Sequence, residues 1–193
     1  MVKDDQYYMR LAIKEALKGS YNTFPNPRVG AVVVVDGEVI SKGYHKSYGD
    51  PHAESIAIKK MKKSVENATL YVTLEPCAHT GKRGPCSEKI DPKVFSKVVV
   101  GTRDPNQIAS GGLEQLLERG IEVVESVCES DCRKINRRFF TFYEKKRPYI
   151  ILKMALTLDG FIAEESGKSQ WITNERSRNS VHKLRSSCDA ILV

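Results

Sequence analysis

Four residues could do chemistry together. His52 and Glu54 lie in Pro51-His52-Ala53-Glu54, Cys77 ends Leu74-Glu75-Pro76-Cys77, and Cys86 follows Pro85. One imidazole and two thiolates supply three zinc ligands and leave the fourth tetrahedral position to water, the pattern of a catalytic rather than a structural site. Zn2+ lowers the pKa of that water toward neutrality, and Glu54 is the carboxylate at hand to move its protons. A structural four-thiolate site would also need Cys128 and Cys132, but these stand one helical turn apart and read as core residues.

The spacing constrains the backbone. In mid-helix, residues i and i+2 point about 200° apart, so His52 and Glu54 can serve one metal only if a helix begins at His52 with Glu54 in its first turn. Pro51 suits that start, having no amide hydrogen to lose. Cys86 follows Pro85 at a second predicted helix start, where unpaired amides and the positive helix end favour a thiolate. His-x-Glu and Pro-Cys are each common. In the order His-x-Glu, strand, Glu-Pro-Cys, cysteine, they form the zinc deaminase signature. That signature has two residues between its cysteines, whereas eight separate Cys77 from Cys86.

The elements that must hold these residues alternate. Helical periodicity predicts helices over Asp4–Lys18, Ala53–Lys63, Gly112–Arg119 and Asp131–Phe142, and a short one from Cys86. Apolar runs predict strands at Gly30–Val35, Glu38–Gly43, Ala68–Leu74, Lys97–Gly101 and Ile121–Val124, the first two joined by an Asp36-Gly37 turn. Strands interleaved with helices imply an α/β fold, a mixed sheet with helices on both faces. Beyond the charged, proline-ended linker Lys145-Lys146-Arg147-Pro148, a strand over Tyr149–Ala155, a turn at Leu158–Phe161, a helix over Glu175–Arg185 and a strand start at Ala190–Val193 are expected. About 45 residues bury little core, so this segment reads as the front end of something longer.

The 193-residue chain is globular in composition, 40% hydrophobic and 28% charged, enough for one large domain or one domain plus part of another. No apolar run approaches the roughly 20 residues of a membrane helix, and the N-terminus lacks the apolar core of a signal peptide, so a cytoplasmic protein is the expectation. A net charge of +7 can signal a polyanionic partner. The cations are scattered, however, over Lys59 to Lys63, Arg133 to Arg138 and Lys145 to Arg147, and read as solvated faces. Five cysteines without a secretion signal argue for free thiols or metal ligands rather than disulfides.

His-Ala-Glu, the stretch Thr73 to Lys82 and Pro85-Cys86 together resemble the bifunctional riboflavin-biosynthesis deaminase/reductase family. So do Pro25 to Gly30, Arg103-Asp104-Pro105-Asn106, Pro148 to Lys153, Leu158-Asp159-Gly160 and Ser169 to Thr173. The resemblance spans the whole chain. It implies a three-layer α/β/α cytidine-deaminase-like domain over residues 1–146, followed over 147–193 by the N-terminal fragment of a dihydrofolate-reductase-like α/β domain.

What the resemblance implies is specific. The activity is hydrolytic deamination of 2,5-diamino-6-(5-phosphoribosylamino)pyrimidin-4(3H)-one with release of ammonia; the full-length protein adds NADPH-dependent reduction of the ribosyl chain. Carried over, His52, Cys77 and Cys86 bind Zn2+, Glu54 shuttles protons, and Asn26, His45, His79, Lys82 and Asn106 contact substrate. Lys153, Ser169, Trp171, Thr173 and Arg185 fall on the substrate side of the reductase. Arg83-Gly84 stands where the family usually has Thr-Pro, at the phosphate end of the pocket. Family reductases carry their nicotinamide-phosphate loop past the point where this chain ends, so these residues are expected to lack reductase activity. The implied partner is a small phosphorylated pyrimidine, with no nucleic acid and no membrane; family members assemble, so a homo-oligomer is within the expectation. The alternatives are a nucleotide or tRNA base deaminase of the same zinc chemistry, and a zinc-stabilised scaffold without catalysis. The long loop between the cysteines and the second segment weigh against a tRNA enzyme.

Overall fold

The computed structural model describes residues 3–61, 65–79 and 84–193. The chain divides into two compact units, Met1–Tyr149 and Ile150–Val193.

In the first unit, α1 (Asp5–Ala16) begins where the Asp4 side chain accepts the Tyr7 N–H at 2.8 Å, satisfying one of the amides a helix start leaves unpaired. Strands β1 (Gly30–Val35) and β2 (Glu38–Tyr44) form the predicted hairpin. Both turn residues have positive φ, 50° at Asp36 and 75° at Gly37, the backbone that matches the twist of the flanking strands. With β3 (Ala68–Val72), β4 (Phe95–Val100) and β5 (Glu122–Val124) they make one sheet in the order β2-β1-β3-β4-β5. The pairs β1–β2 and β1–β3 are antiparallel, while β3–β4 and β4–β5 are parallel.

The apolar runs of the strands serve two cores. Ala31, Val33, Leu70, Val72, Val98 and Val100 pack against Ala53 and Ala57 of α2 (Ala53–Lys59) and against Leu113 and Leu116 of α4 (Gly112–Glu118). The intervening Val32, Val34, Tyr71 and Val99 pack against Tyr8, Met9 and Ala12 of α1 and Cys132 of α5 (Glu129–Ile135). Helices on both faces explain strands that are apolar throughout rather than alternating. Each fully buried aliphatic side chain contributes about 1.5–3 kcal/mol. The result is the three-layer α/β/α arrangement expected.

Some boundaries differ from the sequence expectation. Helix α2 stops at Lys59; of the four residues predicted to extend it, Lys62 and Lys63 lie outside the described residues. The single helix expected over Asp131–Phe142 is two, α5 and α6 (Arg137–Lys145), broken at Asn136 with φ −119° and ψ 25°. The Asn136 side chain binds the backbone of Arg28, a distant partner that periodicity cannot register.

In the second unit, α7 (Glu175–Arg185) forms as predicted, its first turn capped by Asn174 accepting from Ser177 N–H at 2.9 Å. The turn at Leu158–Phe161 also forms, with Thr157 N–H donating to Phe161 O at 2.9 Å. Neither expected strand does: residues 150–155 and 190–193 are irregular. Ile150, Leu152 and Met154 keep the alternation of a strand, yet stand 72%, 84% and 57% exposed. A strand exists only through a neighbour that takes its N–H and C=O groups, and no described segment pairs with them.

Candidate active site

His52 is the residue that caps α2, with extended φ and ψ of −68° and 161°, and Glu54 falls in the first turn. Pro51 therefore lies just outside the helix rather than in it. Its carbonyl is used instead, accepting from His45 Nδ1 at 3.2 Å. Glycine makes this placement possible: a Cβ on Gly43 would lie 2.2 Å from Ala53 O and 2.6 Å from Ala57 N. Only a residue without a side chain lets the start of α2 lie flush on β2.

Cys77 sits in the loop after β3, and Cys86 is the first residue of α3 (Cys86–Lys89), with Pro85 in the cap position. The Cys86 N–H donates to Cys77 O at 3.0 Å and comes within 3.4 Å of its Sγ. Ser87, fully buried, donates to Gln115 Oε1 at 2.6 Å, and its own carbonyl accepts from Arg119 Nη1 at 2.6 Å. The short α3 is thus tied to α4, and Cys86 with it.

These elements bring three ligand atoms together. His52 Nδ1 is 3.2 Å from Cys86 Sγ and 3.5 Å from Cys77 Sγ, and the trio lies within 4.8 Å. A hydrogen bond from the Cys86 thiol, with help from His52, holds the Cys77 thiol below its ordinary range. The same bond, then burial, pushes Cys86 up. The contact with Cys77 raises His52. Glu54 is 3% exposed, and its Oε2 has no hydrogen-bond partner among the described residues. Burial pushes its pKa up, against the pull of His52. An imidazole with two sulfurs is a donor set suited to zinc, and a cation there would draw both thiols to thiolate. The orphaned carboxylate oxygen is what a proton acceptor awaiting a reactant looks like. The residues present fit the ion.

The expected substrate residues fall in different settings. Asn26 Nδ2 lies 3.2 Å from His45 Nε2, and the rings of His45 and His52 meet edge to face at 5.6 Å. Because the Pro51 carbonyl only accepts, His45 carries its proton on Nδ1 and accepts from Asn26 on Nε2. Burial lowers its pKa, in keeping with the neutral ring. Asn106 is half-buried, and its Oδ1 accepts the Ile108 N–H at 3.2 Å. His79 is exposed on the loop after Cys77. Lys82 and Arg83 lie outside the described residues.

In the second unit, Lys153, Ser169 and Arg185 are exposed, and Trp171 is 68% exposed. Arg178 joins two of the five residues singled out: its guanidinium stacks 4.4 Å from the Trp171 ring centroid, and its Nη1 donates to Thr173 O at 2.5 Å.

Three residues that shape the site escaped the sequence reading. Asn136 pins the segment after Asn26, Ser87 ties α3 to α4, and Glu75 gathers the amides of Asp104, Gly111 and Gly112. Only Glu75 left a signal, a carboxylate at the end of an apolar strand beside a ligand-type cysteine.

Fold and site together define the class of cytidine-deaminase-type α/β domains. A family model of the cytidine and deoxycytidylate deaminase zinc-binding region matches residues 2–102, and one of the RibD C-terminal domain matches residues 148–193. Riboflavin biosynthesis protein RibD of Aquifex aeolicus is 48% identical over 98% of this chain and 53% of its own length. That of Escherichia coli is 42% identical over 97% and 52%. The crystal structure of a diaminohydroxyphosphoribosylaminopyrimidine deaminase/5-amino-6-(5-phosphoribosylamino)uracil reductase from Thermotoga maritima matches with a TM-score of 0.87 at 46% identity, over 94% of this chain and 52% of that one. The chain belongs to the cytidine and deoxycytidylate deaminase family, and over nearly all its length it is similar to RibD riboflavin biosynthesis proteins. It spans about half the length of the curated relatives it matches.

Proposed function

We propose that the first unit is a zinc-dependent aminohydrolase that deaminates 2,5-diamino-6-(5-phosphoribosylamino)pyrimidin-4(3H)-one and releases ammonia. One observation carries the reading. His52, Cys77 and Cys86 converge beside a buried carboxylate whose Oε2 has no partner among the described residues, inside a chain similar to RibD proteins.

His52, Cys77 and Cys86 would hold the ion. When bound, it supplies an activated water and a positive charge at the reacting carbon. Glu54, made more basic by burial, takes a proton from the attacking water and passes it to the adjacent ring nitrogen; it then takes the remaining proton from the newly bonded oxygen and delivers it to the departing amine as the carbon–nitrogen bond breaks. Asn26 and Asn106 contact the ring, with His45 orienting Asn26 through its Nε2. His79 and Lys82, between the cysteines in sequence, would meet the phosphorylated end, where charged donors are the natural partners of phosphate. In the second unit, Lys153, Ser169, Trp171, Thr173 and Arg185 belong to the substrate side of a reductase, with NADPH as the cofactor of a complete one. The five cysteines are free, which suits the reducing cytoplasm, and no described helix is long and apolar enough to cross a membrane.

The test is incubation with the diaminopyrimidinone phosphate, following ammonia and pyrimidine absorbance with and without chelator, with cytidine monophosphate and tRNA as comparison substrates. Chelator-sensitive ammonia from the diaminopyrimidinone alone is the expected result. Preferential turnover of either comparison substrate, or none of any, overturns the reading. Cys77→Ser and Cys86→Ser should each lose metal and activity together.

A further inference from the structure

We propose that Glu75 is a positioning residue that sets the wall facing the metal-type ligands. Its carboxylate is 4% exposed and accepts three backbone amides, Asp104 N–H on Oε2 at 3.0 Å and those of Gly111 and Gly112 on Oε1 at 2.7 and 3.0 Å. The Glu75 N–H in turn donates to Thr102 O at 2.9 Å. One side chain thus grips both ends of the segment 104–112, while its own backbone lies two residues from Cys77. That segment carries Asn106 and Ala109. Ala109 shares a buried cluster with the two cysteines, and its carbonyl accepts the Ala78 N–H at 2.9 Å. At its far end, a Cβ on Gly112 would lie 1.7 Å from Pro76 O, so the segment abuts the Glu-Pro-Cys loop with no side chain between. None of the carboxylate's three hydrogen bonds goes to His52, Cys77 or Cys86. The carboxylate therefore acts directly on the segment 104–112 and makes no direct bond to the ligand set. Its charge is suited to the task, since amide bonds to a carboxylate are short and strong, and a neutral amide side chain would turn an N–H donor toward N–H donors.

The experiment uses Glu75→Gln in the full chain and rests on the deaminase reading only for its kinetic arm. Amide hydrogen exchange over 104–112 should quicken at least about tenfold, with rates over 53–59 and 86–89 within about threefold of the parent and zinc content unchanged. KM for the diaminopyrimidinone phosphate should rise about tenfold while kcat stays within about threefold. In an Asn106→Ala background the same substitution should alter KM less than about twofold, since the two residues then act through one segment. Unchanged exchange over 104–112, loss of zinc, or a KM effect that persists undiminished on Asn106→Ala overturns the proposal. Should Glu75→Gln not fold, Glu75→Asp, which keeps the charge but is too short to reach all three amides, carries the same readouts. The exchange result stands even for a chain that turns over no pyrimidine, so failure here and failure of the deaminase reading are separable.

Discussion

Asn136 holds both backbone groups of Arg28: its Oδ1 accepts the Arg28 N–H and its Nδ2 donates to the Arg28 carbonyl, each at 2.8 Å. The side chain imitates a neighbouring strand for one residue, across 108 positions of sequence. Arg28 lies two residues after Asn26. Asn136→Ala should therefore cost about 2–4 kcal/mol, two hydrogen bonds plus the desolvation of the groups left behind. It should also raise KM by loosening the segment that carries Asn26. Urea denaturation and steady-state kinetics check the two parts; full stability in the variant would show that the clamp contributes nothing.

Glu54 is held in a place that suits catalysis rather than stability. Burial raises its pKa, so the folded metal-free chain holds this proton more tightly than the unfolded one, and its stability falls as pH rises above the ordinary carboxylate range. Glu54→Gln removes the penalty. The metal-free variant should melt higher than the metal-free parent at pH 8 and close to it at pH 4. Ammonia release should drop by about 10³-fold, the range of a lost general base, with zinc content intact. Equal melting temperatures at pH 8 would contradict the account of Glu54 as a buried carboxylate whose Oε2 lacks a partner among the described residues.

The seat of α2 on β2 gives a steric prediction. Gly43→Ala would drive a methyl group onto Ala53 O, 2.2 Å away. Overpacking of this kind costs about 1–3 kcal/mol or more. Because the displaced helix start carries His52 and Glu54, zinc affinity should fall as well. Metal titration read against thermal melting tests this; a variant that melts lower but binds zinc as tightly as the parent would separate the helix seat from the site.

Asp104 offers a second pH dependence of stability, to which the Glu75 and Cys77 charges both contribute. Burial, with the nearby Glu75 charge, raises its pKa from 3.8 to about 6. Between those values the folded chain binds more protons than the unfolded one, so stability declines as pH rises through the window and the penalty is complete above it. Asp104→Asn keeps an acceptor for the Asn106 N–H, now at 2.8 Å, and removes the buried charge. At pH 7 the variant should be about 3 kcal/mol more stable, since each tenfold difference in proton affinity between folded and unfolded chain corresponds to about 1.4 kcal/mol. Below pH 4 the difference should vanish. Denaturation midpoints across pH 4 to 8 give the comparison, and a gain that persists undiminished at pH 4 would rule out titration as its cause.

The hairpin, the two-faced sheet and the order of ligand-type residues were all legible in the amino-acid sequence. Asp36-Gly37 supports only a few turns. Val32 to Val34 cannot face water on either side. His52 and Glu54 can converge only at a helix start. Each is a local rule of backbone geometry or burial, readable from residue type and spacing. The segment Ile150 to Met154 shows where such rules stop: its alternation is strand-like, yet alternation alone makes no strand without a partner to complete the ladder.

Residue type and spacing were enough to name the side chains that could act and the kind of element each had to occupy. It took the folded chain to show that eight intervening residues still allow Cys77 and Cys86 to meet, that Glu54 has an oxygen without a partner among the described residues, and that Asn136 and Glu75 brace the walls around them. Distance, burial and hydrogen-bond partners belong to contacts between residues far apart in the chain, and no pattern of neighbours encodes them.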